Sequence, residues 1–167
     1  MRDLLAADFP RCYQPFQRIT VSIWRAGQVL RYSRGPVCWV LRRIVLIADL
    51  IWVQTLMGAE LPHEVWAGPG VRLEHGGRGI ILHPSVSIGS GVTIYHHVTM
   101  GVKDNRDGPV VGDDVLIGVG ARLLGPIKIG DRCRIGANAV VTRDTEPDST
   151  YLGIPARKVE ENRTSRR

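Results

Sequence analysis

Five histidines, His63, His75, His83, His96 and His97, are the side chains of this sequence best suited to take up a proton near neutral pH. His75 stands apart from the others. It interrupts a run of aliphatic positions, and Gly76 and Gly77 directly after it leave room beside the ring. That setting suits a general base working on an incoming hydroxyl. His96 and His97 are adjacent, so on an extended strand they face opposite ways and only one of them looks into a given cleft. For the same reason His75, His96 and His97 make a poor zinc site, and no metal is expected. Cys12, Cys38 and Cys133 have neither metal-ligand spacing nor the pattern of a disulfide framework, which fits a reducing compartment.

The elements that hold these histidines are legible in the spacing. Val111, Ile117, Leu123, Ile129, Ile135 and Val141 recur every six residues, and a second column of small or apolar residues, Val115, Ala121, Ile127, Cys133 and Ala139, lies two positions behind each repeat. Upstream the same lattice gives Val86 and Ile88, Val92 and Ile94, Val98 and Met100, with Ile80 and Leu82 one step earlier. A period of six matches neither a helix nor an ordinary meander. It matches short strands that turn a corner every six residues with two inward side chains each. Three such strands close one triangular coil, and about five coils fit between Pro62 and Thr150. The lattice breaks between Met100 and Val111, where a polar loop leaves the solenoid, a favourable place for binding.

The segment 1–58 follows another period. Phe16, Ile19, Ile23, Ala26 and Leu30 have helical spacing, as do Val37, Leu41, Ile44, Ala48, Ile51 and Leu56, and Gly58 suits a helix end. The expected organisation is therefore a helical segment over 1–58, a mainly-β domain over 59–155 and a basic tail over 156–167. The net charge of +6 is concentrated in the segment 1–43 and the tail. With no nucleic-acid-binding motif alongside it, that charge excludes nucleic acid and leaves an anionic ligand or the surface of a membrane. The apolar stretch 36–59 carries Arg42, Arg43 and Asp49, so a packed or interfacial helix is expected rather than a span. No apolar signal core follows Met1, and the expected location is the cytoplasm or the inner face of its membrane.

The run His75-Gly-Gly-Arg-Gly-Ile, then Thr93-Ile-Tyr-His-His-Val-Thr-Met-Gly101, Ile117-Gly-Val-Gly-Ala121, Ile135-Gly-Ala-Asn-Ala-Val-Val141 and Gly153-Ile-Pro-Ala-Arg157 give the segment 75–159 its resemblance. It resembles the serine acetyltransferase branch of the hexapeptide acyltransferases, and in length it is similar to short enzymes that acetylate exopolysaccharides. The resemblance implies a left-handed parallel β-helix, acetyl-CoA as co-substrate, and a homotrimer, or a hexamer of paired trimers, with active sites between subunits.

Carried over residue by residue, the resemblance makes His75 the base and Glu60, fifteen residues before it, the carboxylate that orients it. Glu74 takes the place of an acceptor-binding aspartate, and His96 supplies a supporting polar contact. Gly101, Val119 and Ala137 take the positions along which the pantetheine arm of coenzyme A runs, with Arg134, Arg157 and Lys158 as its cationic contacts. The Arg-His pair that meets the serine carboxylate in the family is replaced here by Asp107-Gly108, leaving Arg106 or Lys103 as the substitute cation. Because a carboxylate left without a cation is costly to bind, the expected acceptor is a sugar hydroxyl in surface-polysaccharide assembly. The alternatives are L-serine in cysteine biosynthesis and, from a different class, a non-catalytic solenoid scaffold.

Overall fold

The computed structural model describes residues 1–104 and 107–159. Three helices come first: α1 (Arg2–Asp8), α2 (Pro15–Tyr32) and α3 (Pro36–Ala48), the last continuing as a π-helical stretch over Asp49–Leu56. Pro15 and Pro36 open α2 and α3 where their missing N–H costs nothing, and Gln17 Oε1 accepts the Gln14 N–H at 3.1 Å to close the first turn of α2. Gly58 leaves the helical region with φ +60°, the left-handed conformation that suits glycine at a helix end.

A left-handed parallel β-helix follows, of four complete triangular coils rather than five. Face one stacks β1 (Trp66–Ala67), β4 (Ser87–Ile88), β7 (Val110–Val111) and β10 (Lys128–Ile129). Face two stacks β2 (Arg72–Leu73), β5 (Thr93–Ile94), β8 (Leu116–Ile117), β11 (Arg134–Ile135) and β13 (Thr150–Leu152), ending in the antiparallel β14 (Arg157–Val159). Face three stacks β3 (Ile81–Leu82), β6 (Thr99–Gly101), β9 (Arg122–Leu124) and β12 (Val140–Val141). Both aliphatic columns point inward: Ile88, Ile94, Ile117, Leu123 and Ile135 are fully buried, with Val92, Val98, Ala121, Cys133 and Ala139 packed between them. Each strand is only two or three residues long, so this continuous apolar stack supplies the stability that no single strand has.

The coils differ in length in a way that matters for the site. In the upper part the register steps by three hexads, pairing Leu116 with Arg134 and Arg122 with Val140. In the first coil Trp66 pairs with Ser87 and Arg72 with Thr93, a step longer by three positions. The three extra residues fall between β2 and β3, around His75.

The helices dock on the first coil through polar anchors. Arg25 and Asp8 form a fully buried ion pair at 2.9 Å. The two Nη atoms of Arg25 donate to the Ala67 and Gly68 carbonyls at 2.6 Å each, and Asp8 Oδ1 accepts the Val71 N–H at 2.9 Å. With every charge-bearing atom partnered, breaking the pair from one side costs about 3–5 kcal/mol. No residue of α3 is buried; Val37, Trp39, Ile44 and Ile47 stand exposed beside Arg42 and Arg43. Among the described residues no helix is long and apolar enough to cross a membrane.

Candidate active site

The extra residues between β2 and β3 form a short 3₁₀ turn, Glu74–Gly77, at the corner between faces two and three. His75 itself adopts φ +54°, left-handed for a residue with a Cβ, and Gly76 and Gly77 follow at +72° and +77°. Backbone strain of this kind persists only where the surroundings hold it. The holding contact here is the Thr20 hydroxyl on α2, which donates to the Gly76 carbonyl at 2.8 Å and accepts the Trp52 indole N–H at 3.0 Å. A Cβ on Gly76 would meet Phe16 at 2.9 Å and the Met57 sulfur at 3.2 Å, so only glycine lets the helical segment close over the corner.

The turn thrusts the His75 imidazole out of the lattice into a cavity of about 460 Å³ lined by Phe16, Trp52, Met57, His75, Arg78 and His96. His96 comes from the same corner one coil on, its ring edge-to-face with His75 at 4.7 Å between centroids. Burial, then the nearby His75, His97 and Arg78, push the His96 imidazole below its ordinary pKa. Its Nδ1 is buried with no hydrogen-bond partner among the described residues.

His96 and His97 lie on the turn that follows β5 rather than on a strand, so strand alternation does not govern them. His97 has φ +59° and packs over Gly79, its ring 5.3 Å from that of His96, and of the two only His96 lines the cavity. Among the described residues no three His, Cys, Asp or Glu side chains are grouped so as to hold a metal ion.

The same corner continues upward. Gly120 donates its N–H to the His96 carbonyl at 3.1 Å, and Asn138 donates its N–H to the Val119 carbonyl at 2.8 Å. His75, His96, Val119 and Ala137 therefore stand one above another along a single edge of the prism. Gly101 ends β6 on the adjoining face, Arg134 is exposed on β11, and Arg157 is exposed on β14. Lys158 is ion-paired with Glu146.

Three sequence expectations are placed differently. Glu60 does not reach His75: among the described residues no hydrogen bond or ion pair joins them. Glu60 pairs through its backbone with Ile81 on face three and lines a separate cavity of about 380 Å³ with Asp49 and His63. Its spacing from His75 is the reason. Fifteen residues approach one coil only where a coil is three hexads long, and this coil is longer. Glu74 is already committed, to Arg72 through an ion pair and to Gln17 Nε2 at 2.9 Å. Lys103 lines a different cavity with Asp104, Leu124 and Arg143, and Arg106 lies outside the described residues.

Sequence reasoning passed over Arg78, Trp52 and Phe16, which complete the cavity. Arg78 was within reach of it, as the one charged residue in the glycine-rich run that follows His75. Phe16 and Trp52 carry no signal of their own, because only the docking of α2 and the π-helical stretch brings them to the corner.

Residues 108–143 match the family described as bacterial transferase hexapeptide (six repeats). The chain is 36% identical over 126 residues to the serine acetyltransferase of Mycobacterium tuberculosis, covering 74% of this chain and 55% of that protein. It is 39% identical over 127 residues to the serine acetyltransferase of Helicobacter pylori strain J99, covering 73% and 74% respectively. The chain thus spans little more than half the length of the first of these relatives. Among solved structures, soybean serine acetyltransferase superimposes with a TM-score of 0.73 at 31% identity, over 87% of this chain and 58% of that one. These likenesses overturn the expectation of a sugar acceptor in polysaccharide assembly, which rested on the loss of one cationic pair at Asp107-Gly108. With the hexapeptide solenoid, the corner histidine and the relatives in agreement, the chain belongs to the serine acetyltransferase family of hexapeptide-repeat transferases.

Proposed function

We propose that this protein transfers the acetyl group of acetyl-CoA to the hydroxyl of L-serine. The observation that carries this reading is the edge of the prism on which His75 and His96 share one cavity below Val119 and Ala137. In this reading His75 takes the proton of the serine hydroxyl as its oxygen attacks the thioester carbonyl. The tetrahedral intermediate then collapses, the C–S bond breaks, and the departing thiolate takes the proton back from His75 and leaves as the thiol of coenzyme A. No covalent enzyme intermediate is needed, because a thiolate is already a good leaving group. The strained turn fixes the base before substrate arrives, which is what orientation contributes to such a step. In this reading His96 binds the acceptor, supported by an imidazole that burial and the nearby His75, His97 and Arg78 hold below its ordinary pKa and by an Nδ1 without a partner among the described residues. The pantetheine arm runs up the edge past Gly101, Val119 and Ala137, toward Arg134, Arg157 and Lys158.

The working unit in this reading is the β-helical domain, 59–155, assembled as a homotrimer with each site completed at a subunit boundary. Trp66, Ile81 and Val110 are exposed on the outer faces of the coils, apolar surface that an oligomer would cover. A second association, with an anionic bilayer, is favoured by the exposed α3, where Trp39 and Ile44 lie beside Arg42 and Arg43.

The decisive experiment follows thiol release from acetyl-CoA on addition of L-serine, with light scattering on the same sample. Serine-dependent release by a particle three times the 18.5 kDa protomer is the expected outcome. A monomer, or release indifferent to serine, would overturn the reading.

A further inference from the structure

L-Serine brings a carboxylate into the site, and the loop position that meets it elsewhere in the family holds Asp107-Gly108. The cavity itself supplies a cation. Arg78 lines it together with His75 and His96, and none of the six lining residues is acidic. Among the described residues Arg78 makes no ion pair, whereas Arg72 is held by Glu74 and Lys103 lies in another cavity. Arg78 follows directly on the turn Glu74–Gly77 that holds the extra residues of the first coil. It sits between Gly77 and Gly79, with φ of +77° and +63°, and its carbonyl accepts the His97 N–H at 2.9 Å. That backbone bond fixes where the side chain starts, and the two glycines let the chain swing it outward beside the base.

Resting on the serine reading above, we infer that Arg78 is the residue that binds the carboxylate of the acceptor amino acid and so takes the place of the missing Arg-His pair. A guanidinium suits this because its planar fork can donate two parallel hydrogen bonds to one carboxylate. The position also implies a selectivity. A hydroxyl compound without a carboxylate leaves the Arg78 charge unused, so the cavity prefers an α-amino acid to a neutral alcohol.

The test compares L-serine with L-serinamide, which keeps the hydroxyl and the amine but loses the negative charge, on wild type, Arg78→Gln, Arg78→Lys and Arg106→Gln. Loss of a charge-assisted contact is expected to raise KM for L-serine in Arg78→Gln by ~10- to 100-fold. KM for acetyl-CoA and the turnover of L-serinamide should stay within about twofold, and Arg78→Lys should recover part of the loss. A merely structural role for Arg78 would weaken both acceptors alike. If wild type acetylates L-serine and Arg78→Gln leaves its KM unchanged, the inference falls while the serine reading stands. The same holds if Arg106→Gln alone produces the serine-specific defect. If wild type does not acetylate L-serine, both fall together.

Discussion

The Thr20 hydroxyl donates to the Gly76 carbonyl at 2.8 Å, tying the middle of α2 to the residue behind the candidate base. Thr20→Val keeps the shape and removes the bond, stranding that carbonyl and the Trp52 N–H. A stability loss of about 1–3 kcal/mol is expected. Because the turn that fixes His75 is released, kcat should fall about tenfold or more while KM for acetyl-CoA holds. Denaturant unfolding and steady-state kinetics read the two effects separately. An unchanged kcat in a destabilised variant would reduce Thr20 to a structural role.

His75→Ala should lower kcat by ~100- to 10,000-fold, the usual contribution of one general base. His75 is exposed and on a corner, so melting temperature and acetyl-CoA binding should be close to wild type. Turnover within a fewfold of wild type would move the base to His96.

His96 gives a pH signature. Its folded pKa lies below its unfolded value, so the native chain binds fewer protons than the unfolded one in mild acid. Its contribution to stability is complete above the unfolded value of about 6.5 and is lost as pH falls through the lower folded value. His96→Gln removes that linkage. Between pH of about 7.5 and about 5, the variant's Tm should therefore drop less than that of wild type. An equal or larger drop in the variant would contradict the assignment.

Gly27 tests how the helices seat on the solenoid. In the interior of a helix Gly→Ala ordinarily stabilises by about 1 kcal/mol. Here a Cβ would run into the His63 ring, which lines the second cavity opposite Asp49. Gly27→Ala should instead destabilise by about 1–3 kcal/mol. In a His63→Ala background the same substitution should become neutral or stabilising, as chemical denaturation will record. A loss of the same size in both backgrounds would rule out the collision as its cause.

The solenoid was legible because its signal is geometric. Two inward columns at a period of six leave few other ways to bury Ile117, Leu123 and Ile135 together. The helical segment was legible as helices but not in its packing. The apolar residues at helical spacing in α2 include Ile19, which is 41% exposed, while the buried face runs through Gln17, Thr20, Val21, Trp24 and Arg25. Polar anchors to backbone carbonyls decide that face, and their partners lie far along the chain, as Ala67 does from Arg25. The place of Glu60 was misjudged for a related reason. A spacing argument assumes a constant coil, and the first coil is longer by three residues.

Those three added residues leave every later strand in phase. Ile81 pairs with Thr99 and Leu82 with Met100 as though nothing had been inserted below them. The loop between β6 and β7 behaves alike: it lengthens the step that pairs Thr93 with Leu116, and the step above, from Leu116 to Arg134, returns to three hexads. In a solenoid each rung senses only its neighbours, so a change of length at one corner is absorbed there and is not passed along the stack. Selection can thus rewrite what the edge of the prism recognises, one corner at a time, without renegotiating the interior. A chain of this architecture can drift between acceptors while its folding problem stays the same.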